Sequence, residues 1–420
     1  MPETLITSPG RSRLPARTRV AAALGSAVSA ASRGLRQGGG SVVGGRAILA
    51  VDRDALARLA ALHPVALVSG TNGKTTTTTM LRAALSTAGP VVTNLLGANL
   101  PPGLAAALAA GPAGAVAALE VDEAWLERVV AVADPRAVAL LNLSRDQLDR
   151  NNEVRQLAQS WRRAFESRPA TVVVANADDP LVAWGAGLAP DVCWVGAGQP
   201  WTDDASGCPA CGGRIRFDDR YGWACAACDL CRPPLDVRLE GGTLVGPGDT
   251  RVELRLDLPG RANRANAAMA LTVAGVLGAE PATAASAVSA VREVVGRYSV
   301  VRAGSARARL LLAKNPAGWL EVFEVLRPAP VPAVVAINAR IADGKDPSWL
   351  WDVPFERLQG RLVVASGERS RDLAVRLHYA GVQHVREPDP VAAIEAAGAT
   401  DVDVVANYTS FQALRGRLTR

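Results

Sequence analysis

The sequence has few aromatic residues, few lysines and no long apolar run. Aromatic residues make up 4% of the 420 residues, so the hydrophobic core must rest on Ala, Val and Leu, and few rings are available for base stacking. Lysine occurs only at positions 74, 314 and 345, which makes each lysine unusual enough to examine. No run reaches the roughly 18 apolar residues that cross a bilayer. These features disfavour a protein that stacks nucleic-acid bases and an integral membrane protein.

The cysteines do not form a spaced disulfide framework. Five of the six lie between Cys208 and Cys231, and such crowding favours a metal site in a cytoplasmic chain over disulfides in a secreted one. We therefore expect a cytoplasmic protein. Lys and Arg exceed Asp and Glu by 46 − 40 = 6. This basic excess fits either an ordinary solvated surface or attraction to an anionic substrate or an acidic membrane face.

The first 40 residues are rich in Arg, Ala and Gly. The run from Val20 to Ser32 superficially resembles the apolar part of a signal peptide. The run is only weakly apolar, however, and Arg33 and Arg36 follow it directly, so a short surface helix is the better interpretation. We expect residues 1–40 to form a loosely packed arm.

Beyond the arm, short β-branched runs alternate with helical stretches from Val65 onwards. Apolar runs that alternate with helices predict buried parallel strands in βαβ units, and hence an α/β fold with a doubly wound sheet. Residues 203–234 are rich in Cys, Gly, Asp and Pro and interrupt this pattern. We expect a larger domain over residues 41–298, with an insertion at about 203–234, and a C-terminal Rossmann-like α/β domain over residues 299–420.

The strongest local pattern is an apolar strand that runs through a Gly-containing turn into a helix. It reads Ala66-Leu67-Val68-Ser69-Gly70-Thr71-Asn72-Gly73-Lys74-Thr75-Thr76. The two glycines let backbone N–H groups point inward at phosphate, and the helix N-terminus adds partial positive charge. Lys74 is placed to reach the β- and γ-phosphates of ATP, and the Thr75 hydroxyl to ligate Mg²⁺. We expect ATP to be bound by Gly70, Thr71, Asn72, Gly73, Lys74, Thr75 and Thr76.

Acidic residues follow the next two predicted strands. Glu120 ends one of them, and a carboxylate at the carboxyl end of a parallel strand can hold the Mg²⁺ that bridges ATP phosphates. The alternative is that Glu120, Asp122 and Glu123 cap the following helix. After the other strand come Asn142, Asp146 and Asp149, of which we expect Asp146 to contact metal or substrate.

A third such segment, Asn176-Ala177-Asp178-Asp179-Pro180, follows a further predicted strand. It is equally well interpreted as a nucleotide neighbour or as an ordinary turn.

A structural zinc ribbon is predicted in the insertion. Four cysteines form two Cys-x₂-Cys pairs separated by 13 residues, Cys208 with Cys211 and Cys225 with Cys228. Four thiolates suit tetrahedral Zn²⁺ and leave no open position for catalysis. Gly212 and Gly213 follow the first pair and suit backbone N–H groups turned toward sulfur. The second pair is followed by Asp229 and lacks this feature. Cys231 is a possible rival ligand, and Cys193 lies in an apolar strand as a core residue.

The phosphate loop Gly-Thr-Asn-Gly-Lys-Thr-Thr is similar to that of Mur ligases and folylpolyglutamate synthetases. Other segments occur in the order found in the MurT family, the Mur-ligase-like subunits of lipid II isoglutaminyl synthases. They are Glu120, Asp146-Gln147-Leu148-Asp149-Arg150, the Cys₄ insertion, Asn263 with Asn266, Arg297, Leu311 to Gly318, Ala342 to Asp352, Ser366 to Arg369 and Asn407 to Thr409. The chain therefore resembles this family over most of its length, in a Mur-ligase-type fold.

Three departures from amino-acid-adding Mur ligases are apparent. The segment Leu311-x-x-Lys314-Asn315-Pro316 has Leu where those ligases have a nucleotide-contacting Asp. No lysine follows Asp149 until position 314, so their carbamylated lysine is missing as well. In both of these respects the chain resembles the MurT family and not the amino-acid-adding ligases. The third is Ala339, which stands where the family pattern has Asp, so any role at that position is in doubt.

The resemblance implies a function in peptidoglycan biosynthesis. ATP would phosphorylate the α-carboxylate of D-glutamate in the lipid II stem peptide, and ammonia would then give D-isoglutamine. It implies Lys74 and Glu120 as catalytic residues, Mg²⁺ on Thr75 and Glu120, and nucleotide contacts from Asn266 and Arg297.

The resemblance also implies a partner. No glutaminase pattern of Cys, His and Asp or Glu is recognisable in the sequence, so ammonia is expected from a GatD-type glutamine amidotransferase in a heterodimer. The glutaminase His is thought to be oriented by a carboxylate of this chain. Asp346 is the first choice for that carboxylate, and Asp343 and Asp352 follow. Lipid II would be met from the cytoplasm, at the inner face of the membrane.

Two other functions remain open from the sequence. A stand-alone peptide ligase of the folylpolyglutamate type would make an amide with a free amino acid without a partner. A zinc-ribbon ATPase that binds nucleic acid would show steeply salt-dependent binding to DNA or RNA. Few aromatic residues and no basic stripe are present, so nucleic acid is not expected as a ligand.

Overall fold

A computed structural model describes residues 14–34, 41–94, 97–146, 154–199, 201–292, 294 and 298–418. Gln147, Leu148, Asp149, Arg150 and Arg297, which the sequence singled out, lie outside these ranges. No helix within them is long and apolar enough to cross a membrane. The chain divides into two compact units. The first contains Met1–Ser144, Glu153–Leu258 and Ala262–Arg292, and the second contains Arg145–Asn152, Pro259–Arg261 and Glu293–Arg420.

The first unit contains helices α1 to α10 and strands β1 to β11. Its helices are α1 (Ala16–Gly34), α2 (Ser41–Val51), α3 (Ala55–Ala60), α4 (Lys74–Leu85), α5 (Pro101–Ala110), α6 (Leu126–Ala133), α7 (Val154–Phe165), α8 (Pro180–Ala186), α9 (Arg261–Val276) and α10 (Pro281–Ser289). Its strands are β1 (Val65–Ser69), β2 (Val91–Val92), β3 (Val116–Glu120), β4 (Ala137–Leu140), β5 (Val172–Asn176), β6 (Val192–Gly196), β7 (Ile215–Phe217), β8 (Trp223–Cys225), β9 (Val237–Glu240), β10 (Thr243–Val245) and β11 (Arg251–Glu253).

The main sheet of the first unit has the strand order β11-β10-β9-β6-β5-β4-β1-β3-β2. Its strands are parallel from β2 to β9, and β10 and β11 extend the sheet in antiparallel fashion. The short strands β1 and β4 are buried along their whole length, as their Val, Ala and Leu composition requires. This doubly wound α/β arrangement confirms the predicted fold class.

The central position of β1 places the phosphate loop between two neighbouring strand ends. β1 pairs with β3 on one side and with β4 on the other. Ligands of open α/β sheets collect at the carboxyl ends of adjacent strands. The sheet therefore brings Glu120, at the end of β3, and Asn142, just after β4, to the two sides of the loop.

The N-terminal helices pack against each other as an antiparallel pair. A Cβ atom added to Gly25 would lie 2.8 Å from the carbonyl oxygen of Gly44, so only glycine allows this close approach. Thr18 Oγ1 donates to Asp52 Oδ2 (2.6 Å) at the other end of the pair. The helix expected near Val20 is therefore present. One of its faces packs closely against α2, whereas the sequence led us to expect a loosely packed arm.

The second unit contains β12 (Tyr298–Ala303), β13 (Ala306–Leu312), α11 (Pro316–Val325), β14 (Ala333–Ala336), β15 (Val363–Ser366), α12 (Ser370–Tyr379), β16 (His384–Arg386), α13 (Pro390–Ala396), β17 (Asp401–Ala406) and α14 (Tyr408–Leu418). Its sheet has the order β12-β13-β17-β14-β15-β16. Only β12 pairs in antiparallel fashion; the remaining strands of the described sheet are parallel. Trp319 and Phe355 pack edge to face in its core, with ring centroids 4.8 Å apart.

Candidate active site and zinc site

The phosphate loop is shaped by the two glycines that the sequence singled out. Gly70 has φ 149° and Gly73 has φ 84°, backbone conformations that residues with a Cβ rarely adopt. A Cβ atom at Gly70 would also lie 2.9 Å from Leu141 Cβ. Helix α4 begins at Lys74, directly after the second glycine. Backbone N–H groups at the N-terminus of a helix, with its partial positive charge, are suited to an anion.

Lys74 is buried within this loop. Its Nζ donates to the carbonyl oxygens of Gly70 (2.5 Å) and Thr71 (3.3 Å) and to Glu123 Oε2 (2.8 Å). Burial opposes the charged form, but the carboxylates of Glu123 and Glu120 outweigh it and raise the pKa of Lys74. Lys74 therefore keeps its positive charge, and phosphate oxygens would compete with Glu123 for it.

Glu120 is fixed beside the loop by polar contacts on several atoms. Its Oε2 accepts from Thr75 Oγ1 (2.8 Å) and its Oε1 accepts from Asn99 Nδ2 (3.2 Å). The side chain of Asn94 bonds both the N–H and the carbonyl of Glu120, each at 2.8 Å. A carboxylate and a hydroxyl are oxygen ligands of the kind that Mg²⁺ uses. The residues present thus fit a Mg²⁺ ion held by Thr75 and Glu120.

Asn266 on α9 lies against the same loop. A Cβ atom added to Gly73 would be 2.5 Å from Asn266 Oδ1, so the predicted nucleotide contact and the loop are brought together. Thr76 lies in the first turn of α4 and is buried.

Side chains that follow β4 form hydrogen bonds with the phosphate loop. Asn142 Oδ1 accepts from Asn72 N (2.9 Å), and Asn142 Nδ2 donates to Asn72 O (3.0 Å). Thr71 Oγ1 donates to Ser144 O (3.2 Å) and accepts from Ser144 N (3.1 Å). These reciprocal bonds fix the loop backbone in one arrangement before any nucleotide binds.

Asp179 supports this layer in turn. Its Oδ1 caps α8 by accepting from Leu181 N and Val182 N, and its Oδ2 accepts from Leu143 N (2.9 Å) and Gln199 Nε2 (2.9 Å). Burial raises the pKa of Asp179 to about 6, despite these N–H donors. For this segment the sequence left open a position near the nucleotide or an ordinary turn. The Asp179 carboxylate forms its hydrogen bonds with other residues of the protein.

The four predicted zinc ligands converge. The Sγ atoms of Cys208, Cys211, Cys225 and Cys228 all lie within 4.8 Å of one another, with 3.7 Å between the Cys208 and Cys228 sulfurs and 3.5 Å between those of Cys211 and Cys225. Zn–S bonds of about 2.3 Å in a tetrahedron require sulfurs about 3.8 Å apart. The cluster therefore fits a zinc ribbon, built on the β7–β8 hairpin.

Backbone N–H groups point at sulfur in both cysteine pairs. Gly213 N donates to Cys211 Sγ (3.4 Å), as expected, and Ala227 N donates to Cys225 Sγ (3.3 Å). The expectation that the second pair lacks such a donor was wrong, because the turn supplies Ala227 N without needing a glycine. Cys231 is exposed and lies outside the cluster.

The ribbon is anchored to the segment that supports the phosphate loop. Trp223 Nε1 donates to Ala177 O (2.9 Å), and Arg232 forms an ion pair with the buried Asp178. Asp178 Oδ2 also accepts from Ala197 N (2.8 Å) and Gly198 N (2.5 Å). Asp178 is the chain neighbour of Asp179, and Asp179 bonds to Leu143, the neighbour of Ser144, so hydrogen bonds and adjacent residues together link the ribbon to the phosphate loop.

The second unit has a charged surface pocket. It is lined by Arg145, Asp146, Lys314, Asn315, Pro316, Asp343, Asp346, Trp349 and Asp352. Lys314 forms an ion pair with Asp146, and both side chains are mostly buried. Asp146, expected to contact metal or substrate, is thus paired within the protein.

The three carboxylates considered for a glutaminase differ in their surroundings. Asp343 is buried and accepts from Thr409 N (2.8 Å) and Thr409 Oγ1 (2.5 Å). Asp352 pairs with Arg145 (3.4 Å). Asp346 is exposed, and its carboxylate accepts from Ser348 N (2.8 Å) and Ser348 Oγ (2.9 Å) in a local turn. Asp346 and Asp352 are both exposed and accessible to another molecule, whereas Asp343 is buried.

Sequence reasoning missed several residues of the first site. Glu123, considered only as a possible helix cap, is the ion-pair partner of Lys74. Its position three residues after Glu120, just beyond the end of β3, was the available signal. Asn94 and Asn99, which fix Glu120, and Arg232 lie in no recognisable motif, so only the fold reveals them.

Two family models match the chain. The Mur ligase middle domain matches residues 68–200, and the MurT ligase C-terminal domain matches residues 312–411. The chain is 30% identical to the lipid II isoglutaminyl synthase subunit MurT of Streptococcus pneumoniae, over 82% of this chain and 83% of the relative. It is 27% identical to the MurT subunit of Staphylococcus aureus strain N315, over 88% of this chain and 91% of the relative.

A similar fold is found among solved structures. The pseudomurein peptide ligase type C of Methanothermus fervidus superposes with a TM-score of 0.68 at 18% sequence identity. The match covers 84% of this chain and 78% of that one.

Proposed function

Because the chain belongs to the MurT family of Mur ligases, we propose that it is the synthetase subunit of a lipid II isoglutaminyl synthase. It is an ATP-dependent ligase of peptidoglycan biosynthesis. Its substrate is the α-carboxylate of D-glutamate in the lipid II stem peptide, and its product is the D-isoglutamine amide. The observation that carries this proposal is the phosphate loop, where Lys74 lies beside the Thr75–Glu120 pair at the centre of a parallel sheet.

The reaction takes place in two steps. A carboxylate is a poor electrophile, so one of its oxygens first attacks the γ-phosphorus of ATP, and the bond to ADP breaks. Ammonia then attacks the acyl carbon, the bond to phosphate breaks, and the nitrogen loses a proton. Lys74 stabilises the negative charge on the transferring phosphoryl group. Thr75 and Glu120 would hold Mg²⁺, which supplies a Lewis acid for the phosphate oxygens.

Nucleotide binding is assigned to the loop and its neighbours. The loop residues from Gly70 to Thr76 would surround the phosphates, with N–H groups at the start of α4 as donors, and Asn266 would contact the nucleotide from α9. Arg297, assigned to the same role from the resemblance, lies outside the described residues. Zinc has a structural role, since four cysteine ligands leave no open coordination position.

Ammonia comes from a GatD-type glutaminase bound to the second unit. Trp351 is 55% exposed, and its ring lies 5.6 Å from that of Tyr379, which is 73% exposed. Exposed aromatic residues commonly anchor partner proteins. Asp346 lies in the same segment, and we assign it the role of orienting the glutaminase His.

The test uses two ammonia sources. Asp346→Asn should leave amidation with ammonium salts unchanged while lowering glutamine-driven amidation by about 10²-fold or more, as loss of a His-orienting carboxylate does in other enzymes. Asp352→Asn is the matched control, because it removes a neighbouring carboxylate that is already paired. Equal loss with both ammonia sources, or no loss with either, would show that Asp346 has another role. Failure of both sources in the wild-type complex would reject the amidation itself.

A further inference from the structure

The net charge of the protein is concentrated in its first 51 residues. This segment contains seven arginines and one acidic residue, Glu3, which gives 7 − 1 = 6. The arginines are at positions 11, 13, 17, 19, 33, 36 and 46. The whole chain has 46 − 40 = 6, so the remaining residues balance, with 39 basic and 39 acidic side chains. The basic excess is therefore a local property of the segment that contains α1 and α2.

The solvent side of α1 is mostly apolar. Thr18, Ala21, Gly25 and Ser29 form the buried face. Most of the exposed residues are apolar, namely Ala16, Val20, Ala23, Leu24, Ala27, Ala30 and Ala31, and the exposed polar residues are Arg17, Arg19 and Ser26. A helix at the surface of a globular protein normally has mainly polar residues on its outer face. Among the residues that the structure describes, none covers this outer face of α1.

Helix α2 has the same character. Gly44, Gly45 and Ile48 are buried, while Val42 and Val43 are exposed on the other side together with Arg46. Val20, Leu24, Val42 and Val43 are 62%, 45%, 38% and 47% exposed. The arginines stand at the margins of these apolar faces. Arg19 is exposed on α1, and Arg17 is exposed with its Nε donating to Val51 O (2.6 Å).

Apolar outer faces bordered by arginine, without any acidic residue from 16 to 51, suit an anionic lipid surface. Apolar side chains enter the boundary of headgroups and acyl chains, and each basic residue near an anionic leaflet adds attraction. A second copy of the chain is disfavoured as the occupant, because it would bring six further positive charges against the first six.

We propose that the α1–α2 pair is a membrane-docking surface, which binds anionic phospholipid headgroups through Arg19 and Arg46 and inserts Val20, Leu24, Val42 and Val43. This extends the proposed function, whose substrate is a lipid. Binding to vesicles without that substrate tests the surface independently of it.

The experiment measures co-sedimentation of the full chain with two kinds of vesicle, pure phosphatidylcholine and an equal mixture with phosphatidylglycerol. Binding should require phosphatidylglycerol and weaken as salt is raised. Arg19→Gln/Arg46→Gln should weaken binding to the mixed vesicles by roughly 5-fold per arginine. Val20→Gln/Leu24→Gln should weaken it by roughly tenfold. The matched controls alter exposed residues elsewhere, Arg371→Gln/Arg386→Gln and Val132→Gln/Leu188→Gln, and should bind as the wild type does.

Three results would overturn the proposal. One is equal binding to both kinds of vesicle, and another is equal loss in the control variants. The third is evidence that another molecule occupies this surface. Such evidence would be a homodimer in light scattering that Val20→Gln/Leu24→Gln dissociates, or tighter binding to a single-stranded oligonucleotide than to the vesicles. Amidation of detergent-dispersed lipid II, where no bilayer is present, should be unchanged in every variant. Loss of that activity in the wild type would reject the proposed function and leave the vesicle result standing.

Discussion

The two units each bury a lysine against a carboxylate, but in opposite surroundings. In the first unit Lys74 pairs with Glu123, with side chains 6% and 4% exposed, and in the second Lys314 pairs with Asp146, with side chains 16% and 9% exposed. Lys74 lies in a loop whose N–H groups and helix N-terminus favour an anion. The pocket around Lys314 is lined by Asp343, Asp346 and Asp352 as well, which would repel one.

The difference shows that a lysine–carboxylate contact by itself does not define a function. Phosphate oxygens can replace Glu123 beside Lys74, since the loop supplies further donors for them. At Lys314 the carboxylates that line the pocket oppose the entry of an anion that would replace Asp146. We therefore expect the first pair to open during the reaction and the second to stay closed.

The largest expected effect is at Lys74. Lys74→Met should lower ATP turnover by about 10²-fold or more, because a preorganised charge on the transferring phosphoryl group is lost. The substitution also leaves Glu123 buried without its partner, which would cost about 3 kcal/mol or more of stability. Lys74→Met/Glu123→Gln removes that cost and should recover thermal stability without activity. ATP turnover at the wild-type rate in either variant would contradict the assigned role.

The single variant Glu123→Gln tests whether Glu123 competes with phosphate for Lys74. With its competitor neutralised, Lys74 should bind phosphate more readily, so the Kd for ATP in calorimetry should fall by several-fold, about 1 kcal/mol. An unchanged or weaker affinity would mean that Glu123 positions Lys74 rather than competing with phosphate.

Removal of zinc should affect the first unit alone. Cys208→Ser/Cys225→Ser should abolish zinc binding in metal analysis and lower the free energy of unfolding by several kcal/mol, since binding of a structural metal is coupled to folding. Cys231→Ser is the control and should keep its zinc, because Cys231 is outside the cluster. Full zinc content in the double variant would disprove the assignment of these ligands.

Lys314→Met should lower the free energy of unfolding by about 3 kcal/mol, because Asp146 is left buried without its partner. The affinity for ATP in calorimetry should not change, in contrast to Lys74→Met. Lys314→Met/Asp146→Asn should regain most of the lost stability. If the single variant loses ATP binding, the second pair also serves the nucleotide, and the distinction between the two pairs fails.

The smallest expected effect compares two helix-capping aspartates, one in each unit. Burial raises the pKa of Asp179 from 3.8 to about 6. Between these two pH values the folded protein keeps the Asp179 carboxyl protonated, whereas the unfolded chain has released the proton. The contribution of Asp179 to the free energy of unfolding therefore falls as pH rises from about 4 to 6. The Tm of Asp179→Asn relative to wild type should therefore rise as pH rises over this range.

Asp389 gives the opposite trend. Its hydrogen bond from Arg417 and those from backbone N–H groups lower its pKa. Its contribution is therefore present above the ordinary value of 3.8 and is lost as pH falls through the lowered pKa. The Tm of Asp389→Asn relative to wild type should fall as pH rises from about 3 to 5. Parallel trends for the two variants in scanning calorimetry would refute this assignment of causes.

Strong local patterns made the central part of the fold predictable. The alternation of strands and helices predicted from Val65 onwards is present, and β1 begins at that residue. Its apolar run and the Gly that follows it are local signals. Helix α5 was not predicted, because Pro101-Pro102-Gly103 precedes an Ala-rich run without polar periodicity. The strands β12 and β13 were not predicted either, although Gly304-Ser305 forms the turn between them.

The candidate site was predictable where one motif carried the chemistry. The cysteine spacing and the loop from Gly70 to Thr76 each identified their own residues. The partners of those residues come from distant parts of the chain, as Asn94 does for Glu120 and Asn142 for Asn72. Such contacts depend on which strands are neighbours in the sheet, and no local pattern specifies strand order.

The position of the ribbon in the sheet has a consequence for how the chain folds. Strands β6 and β9 pair in parallel through Val195↔Val237, so everything between them is a crossover connection, which usually contains a helix. Here the crossover contains the 40 residues from 197 to 236, and the segment from Cys208 to Cys228 takes up 21 of them. Zinc bound early would halve the loop that must close and save roughly 0.6 kcal/mol of closure entropy. The antiparallel extension β9–β11 would then join the sheet sooner when the metal is present than when it is absent.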